Sequence, residues 1–379
     1  MYVHASVIMQ RFVDYHNAEP LSFGEGIEFV LDRISIEPED RQTFKEDAQQ
    51  IENEFIRAIS RLDPFFASAF RGLALTGSNL DDVRINLPDE FDLLTTVQLP
   101  CEVEPISVKD HRSYVCLRVS GSNIPHHLVN VEDGEYYISR RKVQSWFRDN
   151  INEVIPQLNN IRCEGGRSYE LKNITGGHIA HTIKATCLSD PGRKICFDFV
   201  PAFKFAGSEW PRVFPRFSDG HRSWYATPCK YRYPGAVDDP LSFIVCAPYW
   251  ERMVLSKKQN LKDGLRLMKA LRDANDMPMI FSYTIKSVFL NATNKKMINW
   301  NQSPGRILIR ALVYLAMSLR RGFLPFYLMP DANVLEALSV DQRRDYSSRL
   351  CRILRRLIKC RDRDCMYPDD MEFIFGMRY

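Results

Sequence analysis

Apolar positions Phe44, Ala48, Ile51, Phe55, Ala58, Ile59 and Leu62 recur three and four residues apart, which predicts one long helix over residues 37–61. Glu37, Glu39 and Asp40 near its start complement the helix dipole, and Pro64 closes it. Short β-prone runs predict strands near residues 91–99, 114–119, 182–188 and 194–200, with a helix over 140–150 ahead of the middle strands. Residues 206–242 are dense in Pro, Gly and aromatics and predict a long irregular connection. From residue 250 onward the spacing is helical, with expected helices at 250–274, 281–293, 304–321 and 341–360. Residues 1–36 are harder to place, part of them being expected as helix. There is no internal repeat and no low-complexity tract. A chain of 379 residues with this distribution suits two lobes rather than one core.

One predicted strand carries chemistry. Glu90 and Asp92 flank Phe91 at the start of the run Phe91-Asp92-Leu93-Leu94-Thr95-Thr96-Val97. On a strand, residues two apart project to the same face, so the two carboxylates emerge together while Phe91 enters the core. Paired carboxylates repel unless a cation lies between them. Hard divalent ions such as Mg²⁺ favour such oxygen ligands and share them with phosphates. Gly77-Ser78, eleven residues upstream, lets backbone N–H groups approach a phosphate closely. A third carboxylate is expected on another strand, and Asp198 fits. It lies inside the apolar run Lys194-Ile195-Cys196-Phe197-Asp198-Phe199-Val200-Pro201, where a lone charge is costly unless paired or metal-bound. An E-x-D pair by itself is common on solvated strand edges, and the constellation gains its specificity from all three parts in this order.

The order Gly77-Ser78, Pro88-Asp89-Glu90-Phe91-Asp92 and Phe197-Asp198-Phe199-Val200-Pro201-Ala202-Phe203 resembles the cyclic GMP–AMP synthase (cGAS)-like and Mab families of nucleotidyltransferases. Leu267-Met268-Lys269 resembles the family's helical L-M-K. Phe281-Ser282-Tyr283-Thr284-Ile285-Lys286 resembles its F-S-Y-x-x-K segment, and Phe326-Tyr327-Leu328-Met329-Pro330 its Y-F-x-P segment. The resemblance covers roughly residues 40–360. It implies an α+β, bilobal nucleotidyltransferase fold. A mixed β-sheet catalytic lobe over 1–240 would be joined by a long spine helix to a helical C-terminal lobe over 241–379, with the active site in the cleft between them.

In that site Glu90, Asp92 and Asp198 are expected to hold two Mg²⁺ (or Mn²⁺) ions. One would help deprotonate a ribose hydroxyl and the other would neutralise the leaving pyrophosphate. Gly77 and Ser78 would cradle the triphosphate. By resemblance, Lys269 and Ser282 would reach it from the helical lobe, and Tyr283 would stack on a base. Read without the family pattern, Lys269 is a solvated helix residue and Tyr283 an amphipathic rim residue. The implied reaction joins ATP and GTP into a cyclic dinucleotide second messenger, which would act on a STING-like receptor in innate immunity. One departure stands out. The family's W-R-L-S-F pattern puts Ile244 or Pro240 at its Arg, and an apolar side chain does not replace a guanidinium in base or phosphate recognition.

Charge informs the choice of partner. A net charge of +4 permits a nucleic-acid ligand without demanding one. Between Glu37 and Arg61 there are four basic and seven acidic residues, unlike the Lys/Arg-rich spine of DNA-sensing relatives. Lys258, Lys262 and Arg266, next to Lys257, fall four apart on one helix. Lys262 and Arg266 match nucleic-acid contact positions in the family. Arg140 and Arg141, with Lys142, form a second cluster. Arg349, Arg352, Arg356, Lys359 and Arg363 form a third, which reads as a solvated face. The Cys/His-rich zinc insertion of some family members has no counterpart in residues 251–264, which contain neither Cys nor His. These features favour double-stranded RNA over DNA as activator.

The ten cysteines are scattered without a C-x-x-C pair and read as reduced core thiols. Cys351, Cys360 and Cys365 lack a matching His or Cys at zinc-ligand spacing. Met1-Tyr2-Val3-His4-Ala5 does not begin a secretory leader, and no apolar run reaches a membrane span. The expected setting is cytoplasmic, with no membrane partner. Two other classes stay open. One is a catalytically silent Mab-type scaffold binding protein or nucleic acid. The other is a template-independent nucleotidyltransferase that extends an RNA end.

Overall fold

The computed structural model describes residues 19–379 apart from 112, 159, 175–179, 212–213, 215–221 and 232–234. In chain order the elements begin with helices α1 (Phe23–Ile34), α2 (Pro38–Leu62) and α3 (Pro64–Ala69), strand β1 (Phe70–Thr76) and helix α4 (Gly77–Asp81). Strands β2 (Glu90–Val97), β3 (Glu102–Ser107), β4 (Tyr114–Ser120), β5 (Val129–Glu132) and β6 (Glu135–Ile138) precede helix α5 (Arg140–Val154). Strands β7 (Ile161–Arg162), β8 (Ser168–Ile174), β9 (His181–Cys187), β10 (Lys194–Phe205), β11 (Trp224–Pro228) and β12 (Phe243–Cys246) complete the sheet. Helices α6 (Pro248–Leu255), α7 (Gln259–Ala274), α8 (Ser282–Asn294) and α9 (Pro304–Arg321) follow. Then come strands β13 (Pro325–Phe326) and β14 (Met329–Asn333) and helices α10 (Val340–Arg363) and α11 (Pro368–Phe375). The chain is α+β, as its motifs imply.

Two compact units divide the chain. One holds residues 36–256 and 325–337. The other comprises, of the described residues, 19–35, 257–324 and 338–379. The division falls at residue 256 rather than 240, and α1 joins the helical unit because it packs on α7 and α9.

In the first unit the long strand β10 is central. It pairs parallel with β2 and antiparallel with β9 and β11, and β1 lies antiparallel on β2. The pleat gives the sheet two faces. Phe91, Leu93, Phe197 and Phe199 enter the main core, covered by Phe44, Ala48, Ile51, Phe55 and Ile59 of α2 and by Phe147, Ile151 and Val154 of α5. The apolar periodicity of α2 thus exists to cover this face. Leu94, Ala202, Ala74 and Tyr225 lie in a smaller cluster with Val200 and Cys246 against it. Asp92 alternates with Leu93 and shares its direction with Leu94, and Asp198 shares its direction with Val200 and Ala202.

Asp47 ties helix α2 to the sheet. The carboxylate of Asp47, buried in the helix face, accepts from Arg167 Nε (2.6 Å), Tyr169 Oη (2.6 Å) and Arg193 Nη2 (3.0 Å). Burial pushes this carboxyl up, but the three donors outweigh it and hold it below the usual carboxylate range. Arg193 also lies over the Phe44 ring, 3.7 Å from its centroid.

In the helical unit α9 buries Ile307, Leu308, Ala311, Leu312, Leu315 and Leu319 and leaves Arg310, Val313 and Met317 exposed on its other face. Gly264 of α7 faces Ile307 so closely that a Cβ there would lie 2.6 Å from Ile307 Cγ2. The helix expected over 250–274 is two helices joined by residues 256–258, with Lys257 in a left-handed conformation at φ 58°. The stretch 206–242, expected to be irregular, contains the fully buried strand β11.

Candidate active site

Strand register builds the site. Asp198 of β10 lies directly beside Asp92 of β2 in the parallel ladder, and Thr76, the last residue of β1, lies beside Asp92 on the other side. Glu90 sits two residues before Asp92 on the same face. One carboxylate oxygen from each of Glu90, Asp92 and Asp198 lies within 4.8 Å of the others, and all three side chains are half-buried. The three residues singled out from the sequence are therefore brought together. Three carboxylate oxygens at this spacing, on rigid strands, fit a hard divalent cation.

Gly77 follows Thr76 and begins α4. It has φ 66°, and a Cβ built on it would fall 1.8 Å from Asp92 Oδ2 and 2.6 Å from Asp92 Cγ. Only glycine allows the Asp92 carboxylate to lie against this backbone. Ser78 is held in the same turn, its carbonyl accepting from Val83 N–H at 2.9 Å.

Three residues that the sequence pattern did not reveal complete the surroundings. Thr182, opposite Asp198 in the antiparallel ladder, donates from Oγ1 to Asp198 Oδ1 at 2.6 Å. Asn79 Nδ2 donates to the Glu90 carbonyl at 2.5 Å. Arg84 donates from Nη2 to Asp89 Oδ1 at 2.7 Å and from Nη1 to Glu90 Oε2. Burial pushes the Asp198 carboxyl above its ordinary range. The Thr182 hydrogen bond pulls it down, the Glu90 charge pushes it up, and the Arg84 charge pulls it down. Thr182 lies outside every motif of the sequence, and only the pairing of β9 with β10 brings it opposite Asp198.

The remaining expected nucleotide contacts belong to the helical unit. Lys269 is buried in α7, Ser282 opens α8 and accepts from Arg272 Nη1 at 3.2 Å, and Tyr283 follows it, half-buried. At the departure from the W-R-L-S-F pattern, Phe243 and Val245 point into the core, and Ile244 and Cys246 are half-exposed on the other face of β12. Ser242 is buried and donates to the carbonyls of Cys229 (2.8 Å) and Asp239 (3.0 Å).

The basic clusters divide. Arg140 is buried, with its guanidinium on Asp238 and the Asp239 carbonyl, so it is not an exposed nucleic-acid contact as its charge had suggested. Arg141 remains exposed and shares Asp238. Arg266 pairs with Asp263 at 2.9 Å, and both side chains are largely withdrawn from solvent. Lys257 is exposed, Lys258 precedes the first turn of α7, and Lys262 is half-buried.

Comparison with known proteins matches this arrangement. The profile of the Mab-21 protein nucleotidyltransferase domain matches residues 79–254, and that of the Mab-21 protein HhH/H2TH-like domain matches residues 260–361. A cyclic GMP-AMP synthase-like receptor of Drosophila eugracilis is 68% identical over 372 residues, covering 98% of this chain and 100% of that one. The chain belongs to the cGAS-like receptor family of Mab-21-type nucleotidyltransferases. A cyclic GMP-AMP synthase-like protein of Drosophila melanogaster is 32% identical over 86% of this chain and 91% of its own. A cyclic GMP-AMP synthase-like receptor of Aethina tumida is 26% identical over 81% and 80%. Within this family the Glu90/Asp92/Asp198 cluster stands in the nucleotidyltransferase domain, and the three-residue link 256–258 leaves no insertion between α6 and α7. Among the described residues no helix is long and apolar enough to cross a membrane.

Proposed function

We propose that this protein joins ATP and GTP into a cyclic dinucleotide of the cyclic GMP–AMP type when double-stranded RNA is bound, as a cytoplasmic receptor whose product acts on a STING-like partner. The observation that carries the chemistry is the convergence of Glu90, Asp92 and Asp198 within 4.8 Å. Mg²⁺ or Mn²⁺ held by these carboxylates would supply charge stabilisation at the phosphates and a more acidic ribose hydroxyl. The chain's own groups do the positioning. Gly77 and Ser78 offer backbone N–H groups and a hydroxyl to the triphosphate, and Thr182 fixes Asp198. By the family pattern, Lys269 and Ser282 bind the triphosphate and Tyr283 stacks on a base.

In each transfer a ribose hydroxyl oxygen bonds to the α-phosphorus of a second nucleotide. The bond from that phosphorus to pyrophosphate breaks, and the hydroxyl proton is released to water. The linear dinucleotide closes by the same exchange at its remaining triphosphate. The names of the curated relatives support the cyclic GMP–AMP reading. The direct α6–α7 link and the acidic α2 support RNA over DNA. Lys257, Lys258, Lys262 and Arg141 are the proposed contacts, with Arg140 and the Asp263-paired Arg266 withdrawn.

A second reading rests on the family's Arg position, where either alignment leaves an apolar residue, Ile244 or Pro240; Ile244 stands half-exposed on β12. It would make the protein a scaffold that binds nucleic acid without turnover. Following two labels separates the readings. With α-labelled nucleotide and end-labelled RNA, a small phosphatase-resistant product and unchanged RNA are expected. RNA that grows in length would mean end addition. No product with RNA still bound would mean a scaffold.

A further inference from the structure

Arg84 lies in the segment between α4 and β2, outside every motif that marks the family in this sequence. Its guanidinium is engaged by three partners in the next six residues. Nε donates to the Leu87 carbonyl at 3.1 Å, Nη2 to Asp89 Oδ1 at 2.7 Å, and Nη1 to Glu90 Oε2. The side chain is 21% exposed. The segment is pinned for this purpose. Val83 N–H donates to the Ser78 carbonyl and Asn79 Nδ2 to the Glu90 carbonyl, and Asp82 and Asn86 take left-handed conformations at φ 58° and 66°. These turns reverse the chain so that one planar fork meets two adjacent carboxylates.

We propose that Arg84 is a positioning residue for the metal-binding carboxylates: it anchors Oε2 of Glu90, uses Asp89 as the counter-anchor, and leaves the second oxygen of Glu90 to a divalent cation. The inference rests on reading Glu90, Asp92 and Asp198 as a metal site. A free glutamate has several rotamers, and holding one costs entropy that a second anchor removes in advance. Only a guanidinium can span Asp89 and Glu90 while also reaching the Leu87 carbonyl. A lysine ammonium keeps the charge but is a single point.

Charge and positioning predict opposite results. If Arg84 were only a neighbouring positive charge, it would repel the cation. Arg84→Lys would then bind metal like the wild type, and Arg84→Met would bind it more tightly. If Arg84 positions Glu90, Arg84→Lys loses the fork and weakens binding. Residues that orient metal ligands typically account for about 10-fold or more in affinity.

The test is titration of the full chain with Mn²⁺ alone, free Mn²⁺ being read by electron paramagnetic resonance, with thermal unfolding as the control for fold. Asp92→Asn is run first, and loss of tight Mn²⁺ binding is expected. If that variant binds like the wild type, the metal-site reading fails and this proposal with it. Where Asp92→Asn behaves as expected, Arg84→Lys is expected to bind about 10-fold more weakly at unchanged melting temperature. Binding within twofold of the wild type would overturn the positioning role. If Arg84→Lys does not fold, Asp89→Glu takes its place. It keeps the charge but moves the counter-anchor by one methylene while leaving Arg84 and Glu90 intact; weaker binding supports the role, and binding within twofold of the wild type overturns it.

Discussion

Gly77 and Asp92 approach so closely that any β-carbon on Gly77 would overlap the Asp92 carboxylate, 1.8 Å from Oδ2. The turn after β1 and the second carboxylate of the E-x-D pair are thus one structural unit. Gly77→Ala should both strain a backbone at φ 66° and displace Asp92. A loss of about 1–3 kcal/mol in stability is expected, with nucleotide transfer falling by at least about 100-fold, since misplacing a catalytic group by about 1 Å has that effect. Thermal unfolding and turnover measured on the same preparation check this, and wild-type turnover would show that the close approach has no role in the chemistry.

The Asp47 cluster should be a large stabilising element. Removing the carboxylate leaves Arg167 and Arg193 facing each other beside Tyr169, with Arg193 only 13% exposed. Asp47→Ala is expected to cost about 3 kcal/mol in urea unfolding, because an uncompensated buried charge is left behind. A cost below about 1 kcal/mol would mean the arginines find solvent or other partners.

Glu52 gives a pH prediction. It lies on α2 between the buried residues Ile51 and Phe55, and burial pushes its carboxyl up from 4.5 to about 7. Below pH 4.5 it is protonated in both folded and unfolded chains and costs nothing. Between 4.5 and 7 the unfolded chain releases a proton that the folded chain retains, so this group makes stability fall as pH rises. Above 7 the full cost is about 3 kcal/mol. Glu52→Gln should therefore melt higher than the wild type at pH 8 and alike at pH 4. Equal melting at both pH values would contradict the burial of a lone carboxyl.

The proposed RNA contacts make a separate prediction. Lys257→Glu with Lys262→Glu should weaken double-stranded RNA binding at low salt and flatten the dependence of affinity on salt, since phosphate contacts act through counterion release. Filter binding across a salt series measures both. RNA binding unchanged in affinity and slope would move the surface away from α7.

How much of this was legible in the sequence varies by element. The apolar stripe of α2 and the run of α9 marked their helices to within a residue or two, because each buries one continuous face. Glu90, Asp92 and Asp198 were legible because carboxylates stand out in apolar strands. Strands such as β1 and β3 were not, since β1 is half-buried along most of its length and β3 alternates weakly. The break between α6 and α7 has no Pro or Gly, and Lys257 in a left-handed turn makes it without either. Arg140 looked like surface charge because its partner Asp238 is 98 residues away. Arg84 and Thr182 were hidden for a different reason: their roles depend on a turn and a strand register, neither of which residue type reveals.

The most direct test of the account compares the wild type with Asp92→Asn in a single product assay containing Mg²⁺, ATP, GTP and double-stranded RNA. Products are resolved after phosphatase treatment. The account predicts a phosphatase-resistant dinucleotide from the wild type only when RNA is present, and none from Asp92→Asn at an unchanged melting temperature. Equal product from the two proteins would contradict the assignment of the Glu90/Asp92/Asp198 cluster as the centre of the reaction.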